Sequence, residues 1–135
     1  VVTITAEAHK SIVKRAEEGY PFEICGVLIG KGNKIETFRE CRNLNTERAR
    51  DRYELDPLSF NEADDWAREN SMEIVGIYHS HPDHPSLPSE TDRQRAWPGW
   101  IYFIVSVYEG KYVDDHSWVL RESDSMFEEV KSERH

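Results

Sequence analysis

The chain has 135 residues, a length that suits one domain over residues 1–135 and allows a core without disulfide or metal support. Its 26 acids against 17 bases give a formal charge of −9. That charge repels a phosphate backbone over most of the surface, and with no basic stripe interleaved with aromatics it excludes nucleic acid as a partner. No run approaches the ~18 apolar residues of a membrane span, and the opening "VVTITAEAHK" lacks the charged-then-apolar pattern of a signal peptide. A cytoplasmic protein with no membrane partner is expected, one that has lost an initiator Met ahead of Val1. The two cysteines, Cys25 and Cys41, form no C-x-x-C pair and sit in apolar or strand-like contexts, so reduced thiols are expected.

Taken in chain order, "ITAEAHKSIVKRAEEGY" sets Ala8, Ile12, Val13 and Ala16 at helical spacing, with Thr5 as N-cap and Gly19 as the stop. "FEICGVLIGKGNKIETFREC" reads as two strands joined at Lys31-Gly32-Asn33, and "RYELDP" as a short strand. Asp56 caps a second helix that starts at Pro57 and carries Leu58, Phe60, Ala63, Trp66 and Ala67 on roughly one face. "MEIVGIYHSH" is a buried strand, and "SETDRQRAW" a short helix opened by Ser89 and Asp92 at capping-box spacing. Two strands follow around Glu109-Gly110, and "DSMFEEVKSERH" reads as a final amphipathic helix that frays. Helices and strands in this order predict an α/β fold, a single mixed sheet covered by helices.

The chemistry concentrates in "YHSHPDHPSLPSETD". His79 and His81 are two apart at a strand end, so alternation turns both to one face and Ser80 to the other. Asp92 falls in the first turn of the next helix, and Pro82, Pro85 and Pro88 stiffen a loop that brings its carboxylate back beside the rings. Two histidines and an aspartate with a fourth position left for water make a catalytic zinc set. Each residue also has a plainer role. H-x-H at a strand end is commonly a polar surface feature, Ser89 and Asp92 cap a helix, His84 points to solvent, Glu23 is a polar residue on a strand, and Cys25 is a small buried hydrophobe.

The joint pattern is more specific. "PFEICGVLIG", followed by "HSHPDHPSLPSETD", resembles the JAMM or MPN+ metalloprotease signature: an early glutamate, H-[ST]-H-P, seven residues (82–88) between the second His and a Ser, then Ser-x-x-Asp. There is no H-E-x-x-H, and no H-x-E with P-C-x-x-C. The resemblance implies the MPN/JAMM fold, a curved mixed sheet flanked by helices and cytidine-deaminase-like. It implies one Zn2+ per chain on His79, His81 and Asp92, Glu23 as proton shuttle, and Ser89 as the donor to the oxyanion.

The resemblance also implies the partner, a ubiquitin-fold sulfur carrier or ubiquitin-like protein with a C-terminal Gly-Gly. The amide after that Gly-Gly would be hydrolysed, releasing an amino acid or extension, with the tail added as a strand to a sheet edge near the zinc. Removal of ubiquitin-like modifiers from lysines is the alternative enzyme reading. A non-catalytic MPN scaffold is a third, disfavoured by the presence of both Glu23 and Ser89. His84 as a fourth ligand would close the site. The sequence is compatible with a monomer or a homodimer.

Overall fold

The computed structural model describes all residues, Val1–His135. In chain order the elements are β1 (Val2–Ile4), α1 (Ala6–Gly19), β2 (Cys25–Lys31), β3 (Lys34–Cys41), α2 (Pro57–Glu69), β4 (Glu73–Pro82), α3 (Glu90–Arg95), β5 (Ile101–Tyr108), β6 (Lys111–Leu120), β7 (Phe127–Val130) and β8 (Ser132–Arg134). No helix is long and apolar enough to cross a membrane.

The local signals act where the spacing places them. The Thr5 hydroxyl accepts the Ala8 N–H, and Asp56 accepts the Leu58 N–H ahead of Pro57. The β2–β3 turn uses the left-handed Gly32 (φ 58°). The β5–β6 turn places both Glu109 (φ 51°) and Gly110 (φ 83°) at positive φ, the requirement of a type I′ hairpin.

The strands form one eight-stranded mixed sheet in the order β7-β6-β5-β4-β2-β3-β1-β8, with β4 parallel to β5 across the α3 crossover. This order closes on itself, because β7 and β8 are neighbours in sequence with only Lys131 between them. The first half of residues 127–134 pairs with β6 and the second half with β1, so one segment covers both edges. The expected C-terminal helix is therefore corrected to strands. Phe127 and Val130 have helical spacing, but the backbone groups of this stretch are taken by β6, just before it in the chain, and by β1 near the N-terminus. "RYELDP" keeps only a single bridge, Asn43 to Leu55, because side-chain hydrogen bonds organise that loop instead of a ladder.

Alternation sorts the two faces. Ala8, Ile12 and Ala16 of α1 pack on Leu28, Tyr78, Phe103 and Val105. Ala63 and Ala67 of α2 pack on Val27, Ile29 and Cys41 on the opposite face. At Gly26 an added Cβ would run into the Arg39 carbonyl and the Tyr78 ring, so strand contact there requires glycine. Both cysteines are free and buried; they stand directly opposite each other across β2 and β3. Burial pushes the Cys41 thiol up to about 11.

Helix α1 is also fastened to β6. His9, 5 % exposed, meets Asp115 Oδ2 at 2.7 Å, and the Tyr112 hydroxyl donates to the same oxygen at 2.5 Å. Burial alone would raise the Asp115 carboxyl, but the His9 and Tyr112 hydrogen bonds outweigh it and hold the group below its ordinary value. An acid lowered on folding stabilises the fold above its unfolded pKa of about 3.9 and loses that contribution as pH falls through the native value. The stability gap between wild type and Asp115→Asn should thus narrow as pH is lowered below about 4, read by denaturant unfolding at a series of pH values. A gap that widens on acidification would contradict the assignment.

Candidate metal centre

Strand β4 is enclosed by β2 and β5, and its alternation turns His79 and His81 to the α2 face. Ser80 points the other way and accepts the Ile24 N–H at 2.9 Å, while its own N–H donates to the Ile24 carbonyl. These two bonds fix the chain beside Glu23. Glu23, His79, His81 and Asp92 are all buried, with 3 %, 0 %, 3 % and 8 % exposure.

His81 Nδ1 lies 2.7 Å from the Pro85 carbonyl oxygen, which can only accept, so Nδ1 carries the hydrogen. Its Nε2 faces Asp92 Oδ2 at 3.2 Å. His79 Nε2 faces Asp92 Oδ1 at 3.8 Å, and His79 Nδ1 faces Glu23 Oε1 at 3.5 Å, beyond hydrogen-bond length. Ligand atoms of Glu23, His79 and His81 lie within 4.8 Å of one another. Both ring nitrogens of His79 and Oε1 of Glu23 are buried without hydrogen-bond partners. Unpaired polar atoms at this depth are costly, and a cation is the species that satisfies imidazole lone pairs and carboxylates together. The residues present fit a zinc ion.

The site's electrostatics agree. Burial alone would raise the Asp92 carboxyl, but the His79 ring, the His81 hydrogen bond and the Ser89 N–H outweigh it, holding the group well below the usual carboxylate range. Burial alone would lower the His79 imidazole; the Asp92 and Glu23 carboxylates reverse that and raise it. The cavity is electronegative and attracts positive charge.

The capping box forms as the spacing predicts. The Ser89 N–H donates to Asp92 Oδ2 at 2.9 Å and the Asp92 N–H to Ser89 Oγ at 3.0 Å. Ser89 accepts in this arrangement, which leaves its hydroxyl hydrogen available, and the residue is exposed at the rim. The expectation that His84 points to solvent is corrected. It is half-buried, with its ring stacked on His81 at 4.7 Å and 12°, because Ser106 holds its carbonyl.

Two contributors carry no signal of their own in the sequence. Tyr53 stacks on His79 at 4.5 Å and 26°, roofing the ring. Asn43 organises the loop that carries Tyr53: its Nδ2 donates to the Glu23 and Arg52 carbonyls at 3.2 and 3.1 Å, and its Oδ1 accepts the Asn45 and Glu54 N–H groups, both at 3.0 Å. One amide thus ties the backbone of Glu23 to the Tyr53 loop. Asn43→Ala should cost about 1–3 kcal/mol and speed hydrogen exchange at Asn45 and Glu54 by about tenfold or more, with β5 amides unaffected. Unchanged exchange at those two amides would rule out the hub.

The chain matches the family described as prokaryotic homologs of the JAB domain over residues 5–121. It is 39 % identical to a desampylase of Haloferax volcanii over 127 residues, 87 % of each chain. It is 36 % identical over 109 residues to a CysO-cysteine peptidase of Mycobacterium tuberculosis, covering 78 % of this chain and 73 % of that one. A JAB1/MPN domain protein from Archaeoglobus fulgidus superposes with a TM-score of 0.64 over 98 % of both chains at 19 % identity, a likeness of fold. With the motif residues gathered at one buried point and the family match spanning most of the sequence, this chain belongs to the JAB, or JAMM/MPN, family as a compact prokaryotic member.

Proposed function

We propose that the protein is a zinc-dependent peptidase or isopeptidase that hydrolyses the amide bond after the C-terminal Gly-Gly of a ubiquitin-fold protein. The observation that carries this reading is the set of buried, unpartnered atoms on Glu23 and His79 beside His81 and Asp92. His79, His81 and Asp92 would hold the ion, since both Nε2 atoms face the one carboxylate. The chemistry such an ion supplies is a bound water whose pKa drops toward about 7 and a polarised carbonyl.

The chain's own residues do the rest. Glu23, with Oε1 free, takes the proton of the attacking water and delivers it to the departing amine, which leaves poorly without one. Ser89, held by its capping bonds, has a hydroxyl hydrogen to offer the developing oxyanion. Tyr53 roofs His79 and keeps water from that side of the ring. A closed structural site is disfavoured because His84 offers its ring face, not a ring nitrogen, to His81.

Strand β4 is paired with both β2 and β5 at His79 but with β5 alone at His81, so an added strand has room only beyond Cys25, where β2 begins. The approach to that point is over the sheet face, along a trough of about 720 Å³ lined by Leu55, Phe60, Ile77, Trp97 and Trp100. Beyond it lies the narrower gap beside Tyr53, where glycine is the residue that passes most readily. The substrate favoured is a sulfur carrier bearing an amino acid or extension, a reading supported by likeness to a CysO-cysteine peptidase. The likeness to a desampylase supports a second reading, a modifier joined to lysine.

Mass spectrometry of a ubiquitin-fold carrier with a residue after its Gly-Gly, and of an isopeptide-linked counterpart, distinguishes the two. Glu23→Gln should retain zinc and fold while turnover falls by roughly 10² to 10⁴; His79→Ala, His81→Ala and Asp92→Ala should lose zinc. Cleavage by Glu23→Gln at the wild-type rate, or no cleavage of either adduct by zinc-loaded wild type, would overturn the proposal.

A further inference from the structure

Asp114, His116 and Trp118 occupy alternate positions of β6 and share the sheet face that carries His79 and His81, since they register with Ser106, Ile104 and Tyr102 of β5. All three grip one residue of the histidine loop, Ser86, which is 2 % exposed. The Ser86 hydroxyl donates to Asp114 Oδ1 at 2.8 Å, His116 Nδ1 lies 2.6 Å from the same Oγ, and Trp118 Nε1 donates to the Ser86 carbonyl at 3.1 Å. A hydroxyl has one hydrogen, here given to Asp114, so the His116 contact is an Nδ1–H donating into an Oγ lone pair.

A serine, a histidine and an aspartate in contact suggest a nucleophile, but the order is wrong. In a hydrolytic triad the histidine stands between serine and acid and takes the serine's proton. Here the serine stands between the other two, buried, with its proton on the acid.

What the clamp does control is a peptide plane. The carbonyl that accepts from His81 Nδ1 belongs to the peptide unit joining Pro85 to Ser86, and that unit is planar, so fixing Ser86 aims the Pro85 oxygen. The preceding residues are pinned as well: the Asp83 N–H donates to the Val107 carbonyl at 2.7 Å, and the Ser106 hydroxyl to the His84 carbonyl at 2.6 Å.

We infer that Ser86, clamped by Asp114, His116 and Trp118, is a positioning residue that holds the Pro85 carbonyl against His81 Nδ1 and so keeps the ring turned with Nε2 toward Asp92. A hydrogen bond at one ring nitrogen fixes the orientation of a histidine and with it the direction in which the other nitrogen points. The consequence for zinc rests on the function proposed above; the ring orientation does not.

Two readouts test this. In metal-free protein, the His81 Nδ1–H should give a hydrogen-bonded, slowly exchanging ring signal in wild type that is lost or exchange-broadened in Ser86→Ala. Zinc affinity, measured with the metal alone against a chromogenic chelator, should weaken by about 10- to 100-fold in Ser86→Ala. Asp114→Ala should weaken it too, whereas Asp114→Asn, which keeps an acceptor for the serine, should recover most of the loss. Asp114 is exposed, so this second pair decides the matter if Ser86→Ala does not fold. The inference is overturned if Ser86→Ala keeps the wild-type ring signals, if its zinc affinity stays within about twofold of wild type, or if Asp114→Asn binds as poorly as Asp114→Ala. Wild type that takes no zinc would defeat the proposed function, while the ring signals would still decide the role of Ser86.

Discussion

Glu23, His79, His81 and Asp92 are buried around one point, and a chain that concentrates two imidazoles and two carboxylates out of water must either neutralise them or give them partners. Much of the surrounding structure serves that requirement. Strand β4 lies between β2 and β5 as far as His79 and stays paired with β5 through His81, so the rings project from a stiff support. Ser80 fastens Ile24 on the opposite face, the capping box holds Asp92, and Asn43 ties the Glu23 backbone to the loop of Tyr53. Helix α1 and the closed strand order contribute at a distance by making the sheet a rigid frame.

The division of labour within the site follows from which atoms are already used. His81 spends Nδ1 on Pro85, and Asp92 Oδ2 is engaged by Ser89, so each is oriented before any ligand arrives. Glu23 Oε1 and both nitrogens of His79 are unspent. A carboxylate with a free oxygen beside an oriented donor set suits proton transfer, and preorganisation of this kind lowers the reorganisation that the reaction must otherwise undergo.

Much of this was legible in the residues themselves. Helices α1 and α2 carry their caps and apolar periodicity on the surface of the sequence, and the two-residue alternation of His79, Ser80 and His81 places the rings correctly. Ser89 and Asp92 announce their capping box by spacing alone. What escaped is non-local. Residues 127–134 have an i, i+3 apolar pair that suits a helix, yet they are strands because two sheet edges need partners, β6 just upstream and β1 near the N-terminus. Tyr53 and Asn43 sit in a stretch with weak alternation, and nothing local reveals that one roofs His79 while the other ties down Glu23. The stacking of His84 on His81 likewise depends on Ser106, a residue of another strand.

The central claim is an open metal position with an uncoordinated base beside it, and the structure of the zinc-loaded protein tests it most directly. The account predicts a single ion bound by His79, His81 and one oxygen of Asp92, with a non-protein oxygen in the fourth position and the Glu23 carboxylate hydrogen-bonded to it. Because Glu23 is within reach of both histidines, direct coordination of the ion by Glu23, or by His84, would close the fourth position and contradict the account.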